Sequence, residues 1–167
     1  FYLLEHIGFD ERGLNRFRDT NGDGIVNDKD RIVAGTALPN FQYNINGNLS
    51  YKRFDLAFNF MGVSGNKVYD NTANASFFKL RLARGLNTTP ESIAATEESV
   101  NNPAPVSTRF LKDGNYFRLN NLSLSYTVNT ESLGFSKWVK DLRFSLTGQN
   151  LFVITPYDGY DPEVNTD

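Results

Sequence analysis

The densest set of oxygen donors in the chain lies between residues 19 and 30, reading Asp19-Thr20-Asn21-Gly22-Asp23-Gly24-Ile25-Val26-Asn27-Asp28-Lys29-Asp30. The ligand positions of a twelve-residue calcium loop fall on Asp19, Asn21, Asp23, the Ile25 carbonyl, Asn27 and Asp30, with Gly24 where the chain must turn sharply. Hard oxygen ligands around one tight turn are what Ca²⁺ requires. Asp30 stands where an EF-hand has Glu, which shortens the bidentate reach, and no helix pair flanks the segment. The spacing therefore predicts a free-standing or dockerin-like loop in which Ca²⁺ has a structural role. The same residues also suit an Asx-rich turn cluster that needs no metal. In both cases the segment stiffens a loop and does no chemistry.

A second group of functional side chains closes the chain, in Tyr157-Asp158-Gly159-Tyr160-Asp161-Pro162-Glu163. Aromatic rings beside carboxylates suit stacking on a sugar with hydrogen bonds to its hydroxyls. Tyr157, Asp158, Tyr160 and Asp161 are accordingly expected to contact a substrate or a partner, the alternative being that the two tyrosines only pack their own loop. Catalysis is poorly provided for. A glycosidase holds two carboxylates across a cleft about 5–10 Å apart, and three acids in one loop do not supply that. Glu97-Glu98 reads as a solvated face, and His6, the sole imidazole, reads as structural. With no Cys there is no disulfide, thiolate zinc site or cysteine nucleophile. Lys and Arg total 17 against 19 Asp and Glu, so no basic excess exists to hold a nucleic acid. No enzyme is expected.

The elements that position these groups read as strands. Phe41, Tyr43, Ile45, Gly47, Leu49 and Tyr51 alternate with Gln42, Asn44, Asn46, Asn48 and Ser50. After Lys52-Arg53 the parity flips to Phe54, Leu56, Phe58 and Phe60, as a two-residue turn requires, because its flanking residues pair and share a face. A hairpin over residues 41–63 follows, with Tyr51 opposite Phe54. Further strands lie within residues 115–154: Leu122, Leu124, Tyr126 and Val128 alternate with Ser123, Ser125 and Thr127, and Leu142, Phe144 and Leu146 alternate with Arg143, Ser145 and Thr147. The adjacent Asn120-Asn121 break the rhythm where a bulge fits. Residues 64–109 form a long connection, in which Phe77 to Ala83 and Pro90 to Glu98 are expected as short helices, the second opened by Thr89 and Pro90. The segment from Asn129 to Asp141 is of intermediate length and carries Trp138 as an amphipathic anchor.

No run of about 18 apolar residues is present, which excludes a transmembrane helix but not membrane strands of about 9–11 residues. The apolar faces are aromatic toward the Lys52-Arg53 turn, like an interfacial girdle, and the opposite faces are Asn, Ser and Gln in place of surface Lys and Glu. Short turns at one end and long loops at the other also fit an outer-membrane barrel. A secreted, calcium-stabilised β-domain that binds carbohydrate or a protein partner is the alternative, since a soluble sandwich alternates too. Phe1 in place of Met, and an end within a loop, suggest a fragment.

In order and spacing these segments resemble the SusC/RagA-type TonB-dependent transporters. The residues that carry the resemblance are Asp19-Thr20-Asn21-Gly22-Asp23-Gly24 with Asp28-Lys29-Asp30-Arg31, Gly35 to Phe41, Asn48 to Leu56 and Gly62 to Tyr69. They continue with Ser107-Thr108-Arg109-Phe110, Asp113 to Tyr126, Gly148-Gln149-Asn150-Leu151-Phe152 and Tyr157 to Glu163. The resemblance implies an all-β fold: antiparallel strands forming part of a transmembrane barrel of roughly 22 strands, with long extracellular loops. It also implies location in the Gram-negative outer membrane among lipid, a SusD-like surface lipoprotein as partner, TonB acting through a missing N-terminal part, and import of oligosaccharides or peptides. Residues 1–167 are then the C-terminal portion of the barrel, with Lys52-Arg53 periplasmic and the calcium-type loop, residues 64–109 and residues 157–167 outside.

Overall fold

The computed structural model describes residues 1–163 apart from 77, 78, 80, 82, 83, 87, 89, 135 and 136. The described chain is mostly antiparallel β-structure and divides into two units, one of residues 1–38 and 66–113, the other of residues 39–65 and 114–163.

The first unit is a set of short pairings. Strand β1 (Tyr2–Leu4) pairs with β4 (Arg31–Val33), and β2 (His6–Phe9) pairs with β3 (Asn15–Phe17). Helical segments α1 (Asn71–Ser76) and α2 (Pro90–Ala94) lie in the long connection, along with single 3-10 turns at Asp28–Asp30 and Thr108–Phe110. Leu3 and Phe110 are its buried apolar side chains. Helix α2 starts at Pro90 as expected but stops at Ala94, short of Glu98. The helix expected over Phe77 to Ala83 falls mostly outside the described residues.

The second unit is a four-stranded sheet of long strands: β5 (Phe41–Tyr51), β6 (Phe54–Ser64), β9 (Tyr116–Thr127) and β10 (Arg143–Ile154), in the order β10-β9-β6-β5. The numbering is interrupted because β7 (Lys67–Tyr69) and β8 (Leu111–Asp113) pair with each other in the first unit. Tyr51 pairs with Phe54 across the two-residue turn, and Lys52 takes the left-handed φ of 55° that closes it. The sequence has no Asn-Gly there. Extended pairing along all eleven positions of β5 and β6 holds the tight turn in spite of the strain at Lys52.

Register turns the alternation of each strand into continuous rows. Tyr51, Phe54, Tyr126 and Phe144 form one row across the sheet, and Leu49, Leu56, Leu124 and Leu146 form the next. Phe54 and Tyr126 pack with ring centroids 4.8 Å apart, and at the other end Phe117 stacks on Phe60 at 5.2 Å and on Tyr43 at 6.2 Å. The opposite face carries Asn44, Asn46, Asn59, Ser123, Ser125, Ser145 and Thr147. The bulge expected near Asn120-Asn121 is present. Asn59 pairs with Asn121 and Phe60 with Leu119, so Asn120 is the extra residue. A matching irregularity in β10 lies between Gln149 and Phe152, where Asn150 has a φ of 49°. The two irregularities lie side by side, so the leucine and aromatic rows stay on one face on both sides of them, while Met61 and Val153 fall on the other face beside Arg118.

Candidate functional site

The loop from Asp19 to Asp30 is built almost entirely from carboxylate and carboxamide oxygens accepting backbone N–H groups. The Asp19 carboxylate accepts from Gly22 at 2.7 Å and Gly24 at 2.8 Å. Asn21 Oδ1 accepts from the Asp23 N–H and Asp23 Oδ1 from the Ile25 N–H, at 2.9 and 2.8 Å. Asn27 Nδ2 donates to the Ile25 carbonyl at 3.0 Å. Gly24 has a φ of 78°, the turn that the sixth position of the loop demands.

Asp30 anchors the arrangement from a fully buried position. Its Oδ2 accepts from Asn27 N–H at 2.9 Å, and its Oδ1 accepts from the Thr20 N–H at 2.9 Å and the Thr20 hydroxyl at 3.1 Å. The Asn27 N–H, with the Thr20 and Asn21 donors, holds the carboxyl below the usual Asp range against the opposing effect of burial. Among the described residues no three acidic or imidazole side chains converge as a ready-made cation cage. The six sequence-predicted ligands therefore share one loop, with their oxygens turned onto the backbone.

Within the group from Tyr157 to Asp161, exposure varies from residue to residue. Tyr160 is 99% exposed and Asp158 is exposed, whereas Tyr157 is half-buried and its ring lies against Gly159. Asp161 is engaged: its Oδ1 accepts from Arg118 Nη2 at 2.5 Å and from the Glu163 N–H at 2.9 Å. Burial pushes the Asp161 carboxyl up, but the Glu163 N–H and the Arg118 guanidinium outweigh it and leave the group below its ordinary value.

Glu98 corrects the expectation that Glu97-Glu98 is a solvated face. It is 6% exposed and forms a two-point ion pair with Arg109, with both contacts at 2.8 Å. Asn102 donates to Glu98 at 2.6 Å, and Arg109 also donates to Asn15 Oδ1 at 2.9 Å. The Arg109 guanidinium lies over Phe9 at 5.0 Å and Phe110 at 5.5 Å. Nearby, His6 has its ring edge-on to Phe9 and Phe17, and burial followed by the Arg109 charge lowers its pKa. These residues span positions 6 to 110, and no local motif in the sequence links them. The one available signal was compositional, an Arg and a Glu bracketing the proline-interrupted stretch from Asn101 to Pro105.

No family model matches the chain. It is 32% identical to TonB-dependent receptor P3 of Formosa agariphila, across 95% of this chain and 16% of the relative. It is also 28% identical to TonB-dependent receptor SusC of Bacteroides thetaiotaomicron, across 99% of this chain and 17% of the relative. The chain thus spans about a sixth of the length of the curated relatives it matches. Among solved structures, one of the RagAB peptide transporter superposes over 97% of this chain and 20% of its own, with a TM-score of 0.75 at 19% identity. That likeness shows the fold of the described strands.

Proposed function

The chain is homologous over nearly its whole length to SusC/RagA-family TonB-dependent receptors, proteins of the Gram-negative outer membrane that are not enzymes, and from that premise we propose that it builds part of the wall of a large transmembrane β-barrel. The barrel is of about 22 strands, the class in which the lumen holds a plug. Through it the complete receptor imports oligosaccharides or peptides, with a SusD-like lipoprotein on the outside and TonB supplying energy from the periplasm.

One observation carries this reading: the four long strands keep a continuous apolar face and an opposite face made mostly of Asn, Ser and Thr, and the apolar one is left open. Phe41, Leu49, Tyr51, Phe144 and Leu146 are all exposed. A soluble domain buries such a face against a second layer. The eleven residues of β5 extend about 34 Å, and a tilt of about 40° reduces that to roughly 26 Å, close to the apolar band of an outer-membrane barrel. On the other face Asn59 Nδ2 donates to Asn44 and Asn46 at 2.6 Å each, and hydroxyl pairs Ser123–Thr147 and Ser125–Ser145 stand at 3.0 and 2.9 Å. Such a surface wets, and the charges it carries are matched within the chain, Asp55 by Arg143 and Arg118 by Asp161, which suits a water-filled lumen.

Under this topology the Lys52-Arg53 turn is periplasmic. The calcium-type loop, the long connection and the segment after β10 leave the sheet at its other end and are extracellular. Affinity purification of the full-length receptor from outer membranes tests the assignment. Co-purification of a surface lipoprotein, and loss of uptake of a tryptic peptide pool or a mixed oligosaccharide pool on deleting the receptor or TonB, are the expected results. A receptor that purifies alone and whose deletion changes uptake of neither pool contradicts it.

The donor chemistry of Asp19, Asn21, Asp23, the Ile25 carbonyl, Asn27 and Asp30 fits a structural Ca²⁺, because every donor is a hard oxygen and Gly24 already makes the tight turn. Terbium luminescence on the full-length receptor, competed by Ca²⁺ and abolished by Asp19→Asn with Asp23→Asn, is the expected result. Absence of any competed signal removes the metal and leaves the loop as an Asx-rich turn cluster.

A further inference from the structure

The segment after β10 returns onto one defined face of the sheet. Arg118 pairs across the sheet with Met61, which in turn pairs with Asn44, so its side chain shares the polar face with the Asn and Ser rows. That side chain is 7% exposed although it is a guanidinium. Asp161 meets it at 2.5 Å and Glu163 at 3.7 Å, and the guanidinium lies over the Tyr116 ring at 5.4 Å. Its Nε is buried without a hydrogen-bond partner, so its ion pairs are made through Nη1 and Nη2, to Glu163 and Asp161. Further contacts fix the segment at its start: the Thr155 hydroxyl donates to the Asn115 carbonyl at 2.7 Å and accepts from the Tyr157 N–H at 3.0 Å. Pro162 is buried.

We propose that Arg118 is a positioning residue that straps residues 155–163 across the polar face of the sheet and thereby stands Tyr160 on the solute-facing side of the wall. The physical reason is the cost of the alternatives. If the strap lifts away, Arg118 loses both carboxylates that face its guanidinium, and the loop loses its foot at Asp161. If the chain ran straight on from Ile154, Tyr160 would continue beyond the end of the sheet. Held by Asp161 immediately after it, Tyr160 is instead the exposed aromatic at the tip of a loop whose two feet are fixed at Thr155 and Asp161. The solute-facing description rests on the barrel reading above, whereas the strap itself does not.

The test is a pair of nitroxide labels on the full-length receptor in lipid nanodiscs, placed by Tyr160→Cys and Asn48→Cys. This chain has no cysteine to interfere, and any elsewhere in the receptor are first removed. Pulsed dipolar spectroscopy is expected to give one narrow distance distribution, broadened severalfold by Arg118→Gln and equally by Asp161→Asn with Glu163→Gln, and narrow again in Arg118→Lys. A control pair inside the sheet, Asn48→Cys with Ser123→Cys, is expected to be unchanged in all of them. A Tyr160 distribution that stays narrow in Arg118→Gln while the control pair is intact overturns the proposal, as does one already broad in the parent. A receptor that transports nothing leaves these distances unaffected, so failure of the transport assignment and failure of the strap are told apart.

Discussion

Residues 1–38 and 66–113 bury one charged pair, Glu98 with Arg109, whereas residues 39–65 and 114–163 leave whole apolar rows exposed. In the first unit Glu98 and Arg109 are taken out of water and satisfied by each other, by Asn15 and by Asn102. In the second, rows such as Leu49-Leu56-Leu124-Leu146 have no covering layer among the described residues. The contrast teaches where each unit draws its stability. Short strands bury little apolar surface, so the first unit depends on a polar network whose parts come from distant points in sequence. The sheet draws on backbone ladders and, on the barrel reading, on lipid against its apolar face.

That contrast can be broken at its strongest point by Glu98→Ala, which removes the carboxylate paired with the buried Arg109 guanidinium. The expected cost is about 3–5 kcal/mol within the first unit. Hydrogen exchange should accelerate in β2, β3 and residues 97–110 and stay unchanged in β5, β6, β9 and β10. Equal acceleration in both units means that they do not draw on separate sources.

A charge on the apolar face probes the other side of the comparison. Leu122→Arg, near the middle of the band, is expected to cost about 2–4 kcal/mol in folding into a bilayer, and Tyr51→Arg, in the aromatic row at the turn, about 0–1 kcal/mol. Reversible urea unfolding of the full-length receptor in vesicles measures both. A flat response along the strand removes the lipid-facing assignment.

The acid dependence of the Asp19–Asp30 loop is a smaller effect with a fixed sign. Asp30 is held below its ordinary value by backbone and hydroxyl donors, so its stabilisation is fully present above the unfolded Asp range. It is lost as pH falls through the lowered folded value. Protection of the Thr20 and Asn27 amides, corrected for intrinsic exchange, should drop below the ordinary Asp range, and Asp30→Ala should lower it roughly tenfold or more at neutral pH. Loss of protection that begins several pH units higher points to His6 instead.

Least is expected from Asn59→Ala, about 1 kcal/mol or less, because water in a lumen replaces carboxamide partners that face it. A larger loss shows that this face is dry.

Legibility followed the same divide. Alternation of period two and the parity flip at Lys52-Arg53 specified the four long strands, their faces and the Asn120 bulge, because a one-residue slip would have turned Tyr51 and Phe54 to opposite sides. Six three- or four-residue strands in the first unit passed unseen, since segments such as Asn15–Phe17 are too short to show a period. The burial of Glu98 is not legible in the sequence because its partner Arg109 lies eleven residues away beyond two prolines, and burial of a charge leaves no local mark. Asp161 stands out in the sequence only as one acid of the terminal group, and its engagement by Arg118 depends on register across β6, β9 and the loop after β10.

The central claim is that this sheet is barrel wall with lipid on one face and water on the other. Nitroxide labels placed one at a time at Leu56, Ala57, Phe58 and Asn59 of the full-length receptor in bilayers test it most directly, by comparing relaxation from dissolved oxygen with relaxation from a water-soluble nickel chelate. Oxygen should dominate at Leu56 and Phe58 and the chelate at Ala57 and Asn59. Labels that see the same reagent at all four positions contradict the claim.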